Sequence, residues 1–457
     1  MLKAQTASLA GMSSADKRAL ARQLLRSNTE AGAVAPRRST QGQAVPPGPS
    51  REIPPEFYHF DRYPSYLKLG EYAEVMRAIG ITNPYFNAHQ DVSNSTITIE
   101  DREYINYSGY NYLGLSGDAE VTQAAKEAID RYGTSVSASR IVSGEIPLHR
   151  ELEQELANMI GVEACTVSVS GYGTNVSTIG HLFGPKDLIL HDSLIHNSLM
   201  TGCVLSGARR IPFPHNDSEA LARLLAENRH YHERVLVVIE GVYSMDGDIP
   251  NLPSFIRLKK QYKAFLMVDE AHSAGVLGPQ GFGVGEHFAV NPEDVDIWMG
   301  TLSKAFASCG GYIAGSRALI DNLRYNAPGG ILYSVGISPA NAGAALAAVR
   351  KMVREPERVK RVRDRAELFL ALARSRGLDT GPSAGSAVVP VIVRDSILSL
   401  KLGHALCKRG INVQAVLYPA VPENETRLRF FITAMHSVAQ IRTTVDAVAE
   451  ELGRLRG

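Results

Sequence analysis

The sequence is poor in the residues that would build a disulfide framework, a membrane span or a strongly charged surface. Its four cysteines in 457 residues show no Cys-x-x-Cys or Cys/His spacing, which excludes a zinc cluster and predicts buried, reduced thiols. No apolar run reaches the roughly 18 residues that span a bilayer, and the N-terminus lacks a signal-peptide core. With 48 basic and 47 acidic residues, the net charge is +1. We therefore expect a cytoplasmic protein that acts on a small neutral or zwitterionic substrate, without metal, nucleic acid or membrane.

The first 55 residues have the pattern of a helix on a tether. The pattern of apolar and polar residues over 12–27 predicts one short amphipathic helix, whose apolar stripe consists of Leu20, Leu24 and Leu25. A stretch rich in Pro, Gly, Ser and Gln follows up to Pro55, and it cannot bury enough surface to fold. Such a helix is typical of a segment that docks to a partner, and a tail without a role is the alternative.

The remaining chain divides into an N-terminal segment at 56–115, a large domain at 116–345 and a smaller α+β domain at 346–457. In the large domain, apolar β-rich runs alternate with helical patterns at 164–169, 188–191, 235–239, 265–268, 297–300 and 312–314. Continuous apolar strands separated by helices predict an α/β fold with a mostly parallel sheet covered on both faces. In the smaller domain we expect a long charged helix at 349–374 and strands at 388–393 and 412–417.

Lys304 and Asp269 are the most informative pair of residues. Lys304 follows one apolar run, and Asp269 ends the previous one. An amine and a carboxylate at neighbouring strand ends can hold opposite sides of a flat heterocyclic aldehyde, as pyridoxal phosphate requires. Burial would also lower the pKa of the lysine toward the range useful for a Schiff base and proton transfer. A surface lysine and a helix-capping aspartate are the alternatives for each residue alone.

Other polar clusters also follow predicted strands. The turn from Ser170 to Asn175 contains two glycines and opens a helix, so it predicts a phosphate cradle, although a simple turn has the same pattern. His196 and Ser244 follow two more strand ends, His272 follows the same strand as Asp269, and all three are candidates to contact the same ring.

The segment Asp-Glu-Ala-His that begins at Asp269 also spells the box of certain nucleic-acid-dependent ATPases. That interpretation requires a phosphate loop with a Gly-Lys pair upstream. The chain contains no Gly-Lys pair, and its net charge of +1 does not favour nucleic acid. The sequence therefore favours a cofactor site over a helicase motif.

In order along the chain, the motifs resemble those of the α-oxoamine synthase family, which includes aminolevulinate synthase, aminooxononanoate synthase and serine palmitoyltransferase. The matching segments, spread over about 100–440, are Asn-Tyr-Leu-Gly-Leu (111–115), Ser-Gly-Tyr (170–172), Ile-His-Asn-Ser (195–198), Glu-Gly-Val-Tyr-Ser-Met-Asp-Gly (240–247), Val-Asp-Glu-Ala-His-Ser-Ala-Gly (268–275), Thr-Leu-Ser-Lys (301–304) and Arg-Leu-Arg (427–429). The resemblance implies a fold-type I, aspartate aminotransferase-like homodimer that uses pyridoxal phosphate. It implies the condensation of an amino acid with an acyl thioester, with loss of carbon dioxide and the thiol.

Roles follow from the resemblance position by position. Lys304 would form the Schiff base and remove the Cα proton, Asp269 would pair with the pyridine nitrogen, and His196 would stack on the ring. His272 and Ser244 would contact the phenolic oxygen. The residues expected at the phosphate are Ser170, Gly171, Tyr172, Thr301 and, from the other subunit, Ser334.

Three further residues are expected to bind substrates. Arg429 matches the arginine that binds the amino-acid carboxylate, which a planar guanidinium pairs with in two hydrogen bonds. Tyr110 replaces an asparagine near the acyl group and follows the serine palmitoyltransferase pattern. Members that accept succinyl groups resemble Thr-Arg-Asn-Ile where this chain has Ser139, Arg140, Ile141 and Val142. This chain lacks the asparagine amide of that motif, so a carboxylate at the far end of the acyl group would be buried without a partner. The substitution therefore favours an apolar or polyketide-type acyl chain.

The expected donor is an acyl thioester carried by coenzyme A or, given the N-terminal helix, by an acyl carrier protein. Two alternatives remain at this stage. An aminotransferase or amino-acid lyase would share Lys304, Asp269 and Arg429, and a docking or regulatory scaffold would keep the fold without the cofactor.

Overall fold

The computed structural model describes residues 53–81, 83–418 and 420–457. The predicted helix at 12–27 and nearly all of the linker lie outside these ranges. The N-terminal segment contains short 3₁₀ turns at Pro55–Phe57 and Phe60–Arg62, helix α1 (Pro64–Ala78) and strands β1 (Thr96–Ile99) and β2 (Arg102–Asn106). No helix among the described residues is both long enough and apolar enough to cross a membrane.

Alternating strands and helices form the large domain. Its strands are β3 (Ala164–Ser168), β4 (Leu188–Asp192), β5 (Arg209–Phe213), β6 (Val235–Glu240), β7 (Phe265–Asp269), β8 (Ile297–Thr301) and β9 (Gly311–Gly315). Its helices are α2 (Ala119–Tyr132), α3 (Pro147–Ile160), α4 (Gly171–Leu182), α5 (Asn197–Ser206), α6 (Ser218–Asn228), α7 (Leu252–Tyr262), α8 (Val284–His287), α9 (Arg317–Asn326) and α10 (Pro339–Arg354). Short 3₁₀ turns lie at Arg229–Tyr231 and Pro292–Asp294, and a π-helical turn lies at Pro328–Leu332.

The large sheet has seven strands in the order β3-β9-β8-β7-β6-β4-β5. Strand β9 is antiparallel to both of its neighbours, and the pairs from β8 to β5 are parallel. The mostly parallel α/β sheet expected from the sequence is therefore confirmed. Because β3, β4, β6, β7 and β8 point the same way, their carboxyl ends meet at one edge, where ligands bind in such sheets.

Hydrophobic packing on both faces explains why these strands are continuous apolar runs. All residues of β6 are buried. Val237 and Ile239 belong to the cluster on one face, whereas Leu236 and Val238 belong to the cluster on the other. Alternate side chains of a strand point to opposite faces, so a strand covered by helices on both sides needs apolar residues throughout.

The C-terminal region forms a smaller lobe with its own core. It contains α11 (Pro356–Ser375), β10 (Val388–Ile392), α12 (Ser396–Lys408), β11 (Ile411–Asn412), β12 (Gln414–Val416), a 3₁₀ turn (Glu423–Glu425), β13 (Arg427–Phe431) and α13 (Val438–Arg456). Strands β10, β13 and β12 form an antiparallel sheet, while β11 pairs with β2 of the N-terminal segment. The N-terminal segment is thus joined to the small lobe through a shared sheet.

Three local predictions are wrong. The helix expected at 349–374 is two helices that meet at Glu355, because Pro356 lacks an N–H and cannot continue α10. The strand expected at 412–417 is divided between β11 and β12, which belong to different sheets. All four cysteines are free, but only Cys165 and Cys203 are buried, whereas Cys309 and Cys407 are exposed.

Candidate active site

A cavity of about 290 Å³ lies at the carboxyl edge of the large sheet and extends to strand β13 of the small lobe. Most of the predicted site residues line it, although they come from distant parts of the chain. They are Tyr110, Gly171, Tyr172, His196, Ser244, Asp269, His272, Thr301, Lys304 and Arg429.

Lys304 lies in the loop that follows β8, and its amine enters this cavity. The Nζ atom is 5.6 Å from the centre of the Tyr110 ring. Burial lowers the pKa of Lys304 to about 8, and the nearby carboxylates of Asp269 and Glu240 oppose part of that shift. An amine with this pKa is partly unprotonated near neutral pH and can act as a base, whereas an exposed lysine is almost fully protonated there.

Asp269 is the last residue of β7, and two donors hold its carboxylate in place. Asn175 Nδ2 donates to Oδ2 at 2.8 Å, and the backbone N–H of Ala271 donates to Oδ1 at 2.9 Å. The Asn175 Oδ1 atom is buried without a hydrogen-bond partner. The contact of Asn175 with Asp269 was not predicted from the sequence, although Asn175 lies one helical turn after Gly171 and therefore on the same face of α4.

The start of α4 and the loop after β8 form a concave polar surface. A Cβ atom on Gly171 would lie 2.7 Å from Thr301 Oγ1, so only glycine allows this approach. The hydroxyl of Thr301 is also 2.7 Å from that of Ser303. No role was predicted for Ser303 from the sequence. Helix N-terminal N–H groups beside two hydroxyls make a site for a phosphate. Ser170 itself caps the helix by accepting from Gly173 N, and it does not line the cavity.

The two histidines are held by hydrogen bonds to their Nδ1 atoms. His196 caps α5, and its Nδ1 accepts from the backbone N–H of Ser198 at 3.2 Å, so Nε2 carries the proton of the neutral ring. The Nδ1 atom of His272 is 2.7 Å from the buried hydroxyl of Tyr112. Burial lowers the pKa of both histidines, and the pKa of His272 falls far below its ordinary value. Both rings are therefore neutral at physiological pH.

Arg429 is a partly buried cation without an anionic partner among the described residues. Its Nη1 donates to the carbonyl of Ser244 at 2.9 Å, and its guanidinium lies 4.7 Å from the centre of the Phe431 ring. Its Nε is buried and has no hydrogen-bond partner. Burial lowers the pKa of Arg429, which is the cost of keeping a positive charge away from water. A bound carboxylate would relieve that cost.

Ser139 and Ser334 do not line the cavity of this chain. Ser139 forms an isolated antiparallel bridge with Val335, so the two loops run side by side. Ile141, Val142, Tyr333 and Val335 are exposed on these loops. The predicted roles of both serines stay predictions.

Glu240, at the end of β6, also lines the cavity. In the sequence it was noted only as part of the motif 240–247, and no role was predicted for it. Its side chain is buried and accepts from the backbone N–H of His196. Burial and the neighbouring Asp269 raise its pKa well above the ordinary value. This carboxyl group therefore connects the end of β6 to the loop that carries His196.

Comparison with known proteins agrees with this site. The family model for aminotransferase class I and II matches residues 102–448. An 8-amino-7-oxononanoate synthase from Geobacter sulfurreducens is 40% identical over 365 residues, which cover 79% of this chain and 92% of that protein. The one from Bacillus pumilus is 35% identical over 390 residues, covering 85% of this chain and 98% of that protein.

Solved structures give the same result. A solved structure of serine palmitoyltransferase with the PLP internal aldimine has a TM-score of 0.80 at 28% identity, and the match covers 85% of this chain and 97% of that chain. A Sphingomonas wittichii serine palmitoyltransferase has a TM-score of 0.81 at 29% identity and covers 86% of this chain and 98% of its own. The chain belongs to the α-oxoamine synthase family. It is a fold-type I, pyridoxal-phosphate-dependent acyltransferase.

The residues present fit this cofactor. The cavity contains an amine, a carboxylate held by two donors and a helix N-terminus with two hydroxyls, which match the aldehyde, the ring nitrogen and the phosphate. The unpartnered Oδ1 of Asn175 and Nε of Arg429 leave polar groups available inside it. The expected cofactor and family are thus confirmed, while the role of each residue stays a prediction.

A second buried cluster supports the loops that carry His196 and Ser244. His215 Nδ1 is 2.9 Å from Asp192 Oδ1, and its Nε2 is 2.8 Å from Asp248 Oδ2. Asp192 ends β4 and Asp248 follows β6, so the imidazole connects the two loops. These carboxylates raise the pKa of His215 to about 10, although burial alone would lower it.

His215→Asn is expected to lower the free energy of unfolding by about 3 kcal/mol at pH 6, because two buried carboxylates would lose their cation. The folded-state pKa lies above the unfolded value of about 6.5, so the stabilisation is complete below that value and is lost as pH rises through about 10. Urea unfolding of both proteins at several pH values measures the difference. A difference that stayed constant between pH 6 and pH 10 would contradict this assignment.

Proposed function

We propose that the enzyme condenses a small amino acid with an acyl thioester to give an α-amino ketone, carbon dioxide and a free thiol. The observation that carries this proposal is the partly buried guanidinium of Arg429, which has no anionic partner among the described residues and lies in the same cavity as Lys304 and Asp269. A positive charge held there without an anionic partner selects a substrate with a carboxylate. Relatives named 8-amino-7-oxononanoate synthase support the condensation.

When bound, pyridoxal phosphate supplies an aldehyde carbon that attaches to the amino group of the substrate and a ring that accepts electron density from Cα. The side chains of this chain do the rest. Lys304, with a pKa of about 8, removes the Cα proton and holds it while the new carbon–carbon bond forms. Asp269 provides a negative charge for the ring nitrogen, and Asn175 and Ala271 keep that carboxylate in position.

Arg429 orients the substrate through its carboxylate during proton removal and acylation. Loss of that carboxylate as carbon dioxide then removes the anion that held the substrate at Arg429, which favours release of the α-amino ketone. His272 is held through Nδ1 by Tyr112, which leaves Nε2 for the phenolic oxygen of the cofactor. His196 lines the same cavity as a neutral ring, suited to stack on the cofactor.

The acyl chain of the donor is apolar at its far end. Support comes from Arg140, the only cation of the segment 139–142, whose guanidinium forms ion pairs with Glu145 and Glu153 and is not available to a carboxylate of the substrate. The neighbouring Ile141 and Val142 are exposed and apolar. The product in the name of the relatives ends in a carboxylate, so this chain would differ from them in its acyl donor.

The active unit is a cytoplasmic homodimer, and a second copy supplies Ser334 to the phosphate. The exposed apolar side chains around the Ser139–Val335 bridge support this arrangement, because they would be buried against another chain. The acyl donor is carried by coenzyme A or by an acyl carrier protein, and in the second case the segment 12–27 is where the carrier protein docks.

Product analysis tests the proposed reaction. Glycine, L-alanine and L-serine are each combined with apolar and ω-carboxylated acyl thioesters, presented on coenzyme A or on an acyl carrier protein, and the products are identified by mass spectrometry. We expect carbon dioxide and an α-amino ketone only when an apolar thioester is present. A keto acid formed without any thioester would show an aminotransferase instead. Faster turnover with ω-carboxylated donors would contradict the proposed acyl preference.

Deletion of residues 1–50 tests whether the segment 12–27 docks the carrier protein. If the segment recruits a carrier protein, the deletion raises the KM for the carrier-bound donor and leaves the KM for the coenzyme A thioester unchanged. Equal kinetics with both donors before and after deletion would remove the support for docking.

A further inference from the structure

Arg427 is a second arginine on β13, and its surroundings differ from those of Arg429. Only 1% of its surface is exposed, yet its guanidinium is fully engaged. Its Nη1 pairs with Asp246 Oδ1 at 2.5 Å and donates to the carbonyl of Met245 at 3.1 Å. Its Nε donates to the carbonyl of Glu425 at 2.7 Å, and its Nη2 forms a second ion pair, with Glu425 Oε2 at 3.2 Å. This arginine is neutralised inside the protein and has no group left for a substrate.

Both arginines hold the same short segment of the large domain. Residues two apart on a strand point to the same face, so Arg427 and Arg429 reach the segment 244–248 together. Arg427 contacts Met245 and Asp246, and Arg429 contacts the carbonyl of Ser244. The segment therefore carries one residue expected at the cofactor and also positions the cation expected to bind the substrate.

The other side of this segment is fixed to the small lobe. Gly247 has φ of +69°, and a Cβ atom there would lie 1.9 Å from the carbonyl oxygen of Val388 on β10. The Ser386 hydroxyl donates to the Gly247 carbonyl at 2.8 Å. The segment thus lies between β10 and β13, and among the described residues the Arg427–Asp246 contact is the one ion pair that joins it to the lobe.

We propose that Arg427 is a positioning residue, whose buried ion pair with Asp246 holds the segment 244–248 so that the Ser244 carbonyl aims the Arg429 guanidinium at the amino-acid carboxylate. Arg427 does not touch the substrate. A buried ion pair of this kind contributes little to net stability, so the role that we assign to it is to favour one arrangement of the chain. This inference rests on the carboxylate role of Arg429 in the proposed function.

The test compares variants that remove the pair without leaving a buried charge. Arg427→Met combined with Asp246→Asn removes both charges together. Arg376→Met is the matched control, because it breaks an ion pair of the same length, with Asp446, that is half-exposed and outside the cavity. Arg429→Met is made alone and together with the double variant.

Binding to the holoenzyme is measured by calorimetry with two pairs of probes, L-alanine with ethylamine and L-serine with ethanolamine. Each amine lacks only the carboxylate of its amino acid. The double variant is expected to raise the Kd of the amino acid about tenfold and to leave the Kd of the amine unchanged. The control is expected to change neither value. In the Arg429→Met background, removal of the pair is expected to have no further effect.

Two results would overturn the inference. A similar loss of affinity for amino acid and amine would mean that the pair has only a structural role, and additive effects with Arg429→Met would mean that it does not act through Arg429. The proposed function is judged separately. If Arg429→Met binds the amino acid as well as the wild type does, then the carboxylate role itself is wrong.

Discussion

Lys304→Ala is expected to lower turnover by roughly 10³-fold or more, because the variant loses both the attachment point of the cofactor and the base at Cα. The cavity would keep its phosphate cradle, so the protein should still bind pyridoxal phosphate, but without a covalent bond. Borohydride reduction followed by mass spectrometry of the peptide that contains residue 304 measures the attachment, and steady-state kinetics measures turnover.

The matched control is Lys186→Ala, which removes an exposed lysine that pairs with Glu233 far from the cavity lining. It should keep wild-type attachment and turnover. The far-ultraviolet circular dichroism of both variants should equal that of the wild type, because neither lysine belongs to the hydrophobic core. If borohydride fixed the cofactor to a different lysine in the wild type, the assignment of Lys304 would be wrong.

Arg429→Met is expected to weaken amino-acid binding by about 1.5–3 kcal/mol, the range of a hydrogen bond to a charged group, which corresponds to roughly 10- to 150-fold in Kd. Methionine keeps most of the side-chain volume, so the variant does not open a cavity. The loss of affinity therefore measures the contribution of the positive charge and of the planar guanidinium. The KM for the amino acid should rise, while the KM for the acyl thioester should change little. The initial-rate dependence on each substrate separates the two.

Arg429→Lys distinguishes geometry from charge. Lysine keeps the positive charge but cannot donate two parallel hydrogen bonds to one carboxylate, so we expect an intermediate affinity. An affinity equal to that of the wild type would show that the charge alone holds the substrate. Normal amino-acid binding in Arg429→Met would remove the arginine from the substrate site.

The sequence predicted the parts of the site that follow apolar strands. Lys304 and Asp269 were identifiable because each follows a run that must be buried, and charged residues at the carboxyl ends of parallel strands gather at one edge of the sheet. Asn175 was not assigned a role, because an amide inside a helix has no distinctive pattern until the helix is placed against β7. Arg427 was quoted only as part of a motif, because nothing in its own segment shows that Asp246 lies beside it.

Errors in the small lobe have a similar origin. The periodicity of apolar residues over 349–374 favours one helix. The break comes from a single residue, Pro356, which hardly changes that periodicity. The apolar segment at 412–417 is β-forming throughout, and only its two different neighbours, β2 and β13, divide it between two sheets. The exposure of Cys309 and Cys407 likewise depends on packing that composition does not describe.

The sequence by itself determined the class of fold and the chemical identity of the main site residues, because strand burial and residue type are local properties of the chain. Only the tertiary structure decided which charges are satisfied and which are left for a substrate. Arg427 and Arg429 are the same residue type two positions apart, yet one is paired with Asp246 and the other has no anionic partner among the described residues. That difference arises from the segment 244–248 of another domain, so it exists only when the two lobes are packed together.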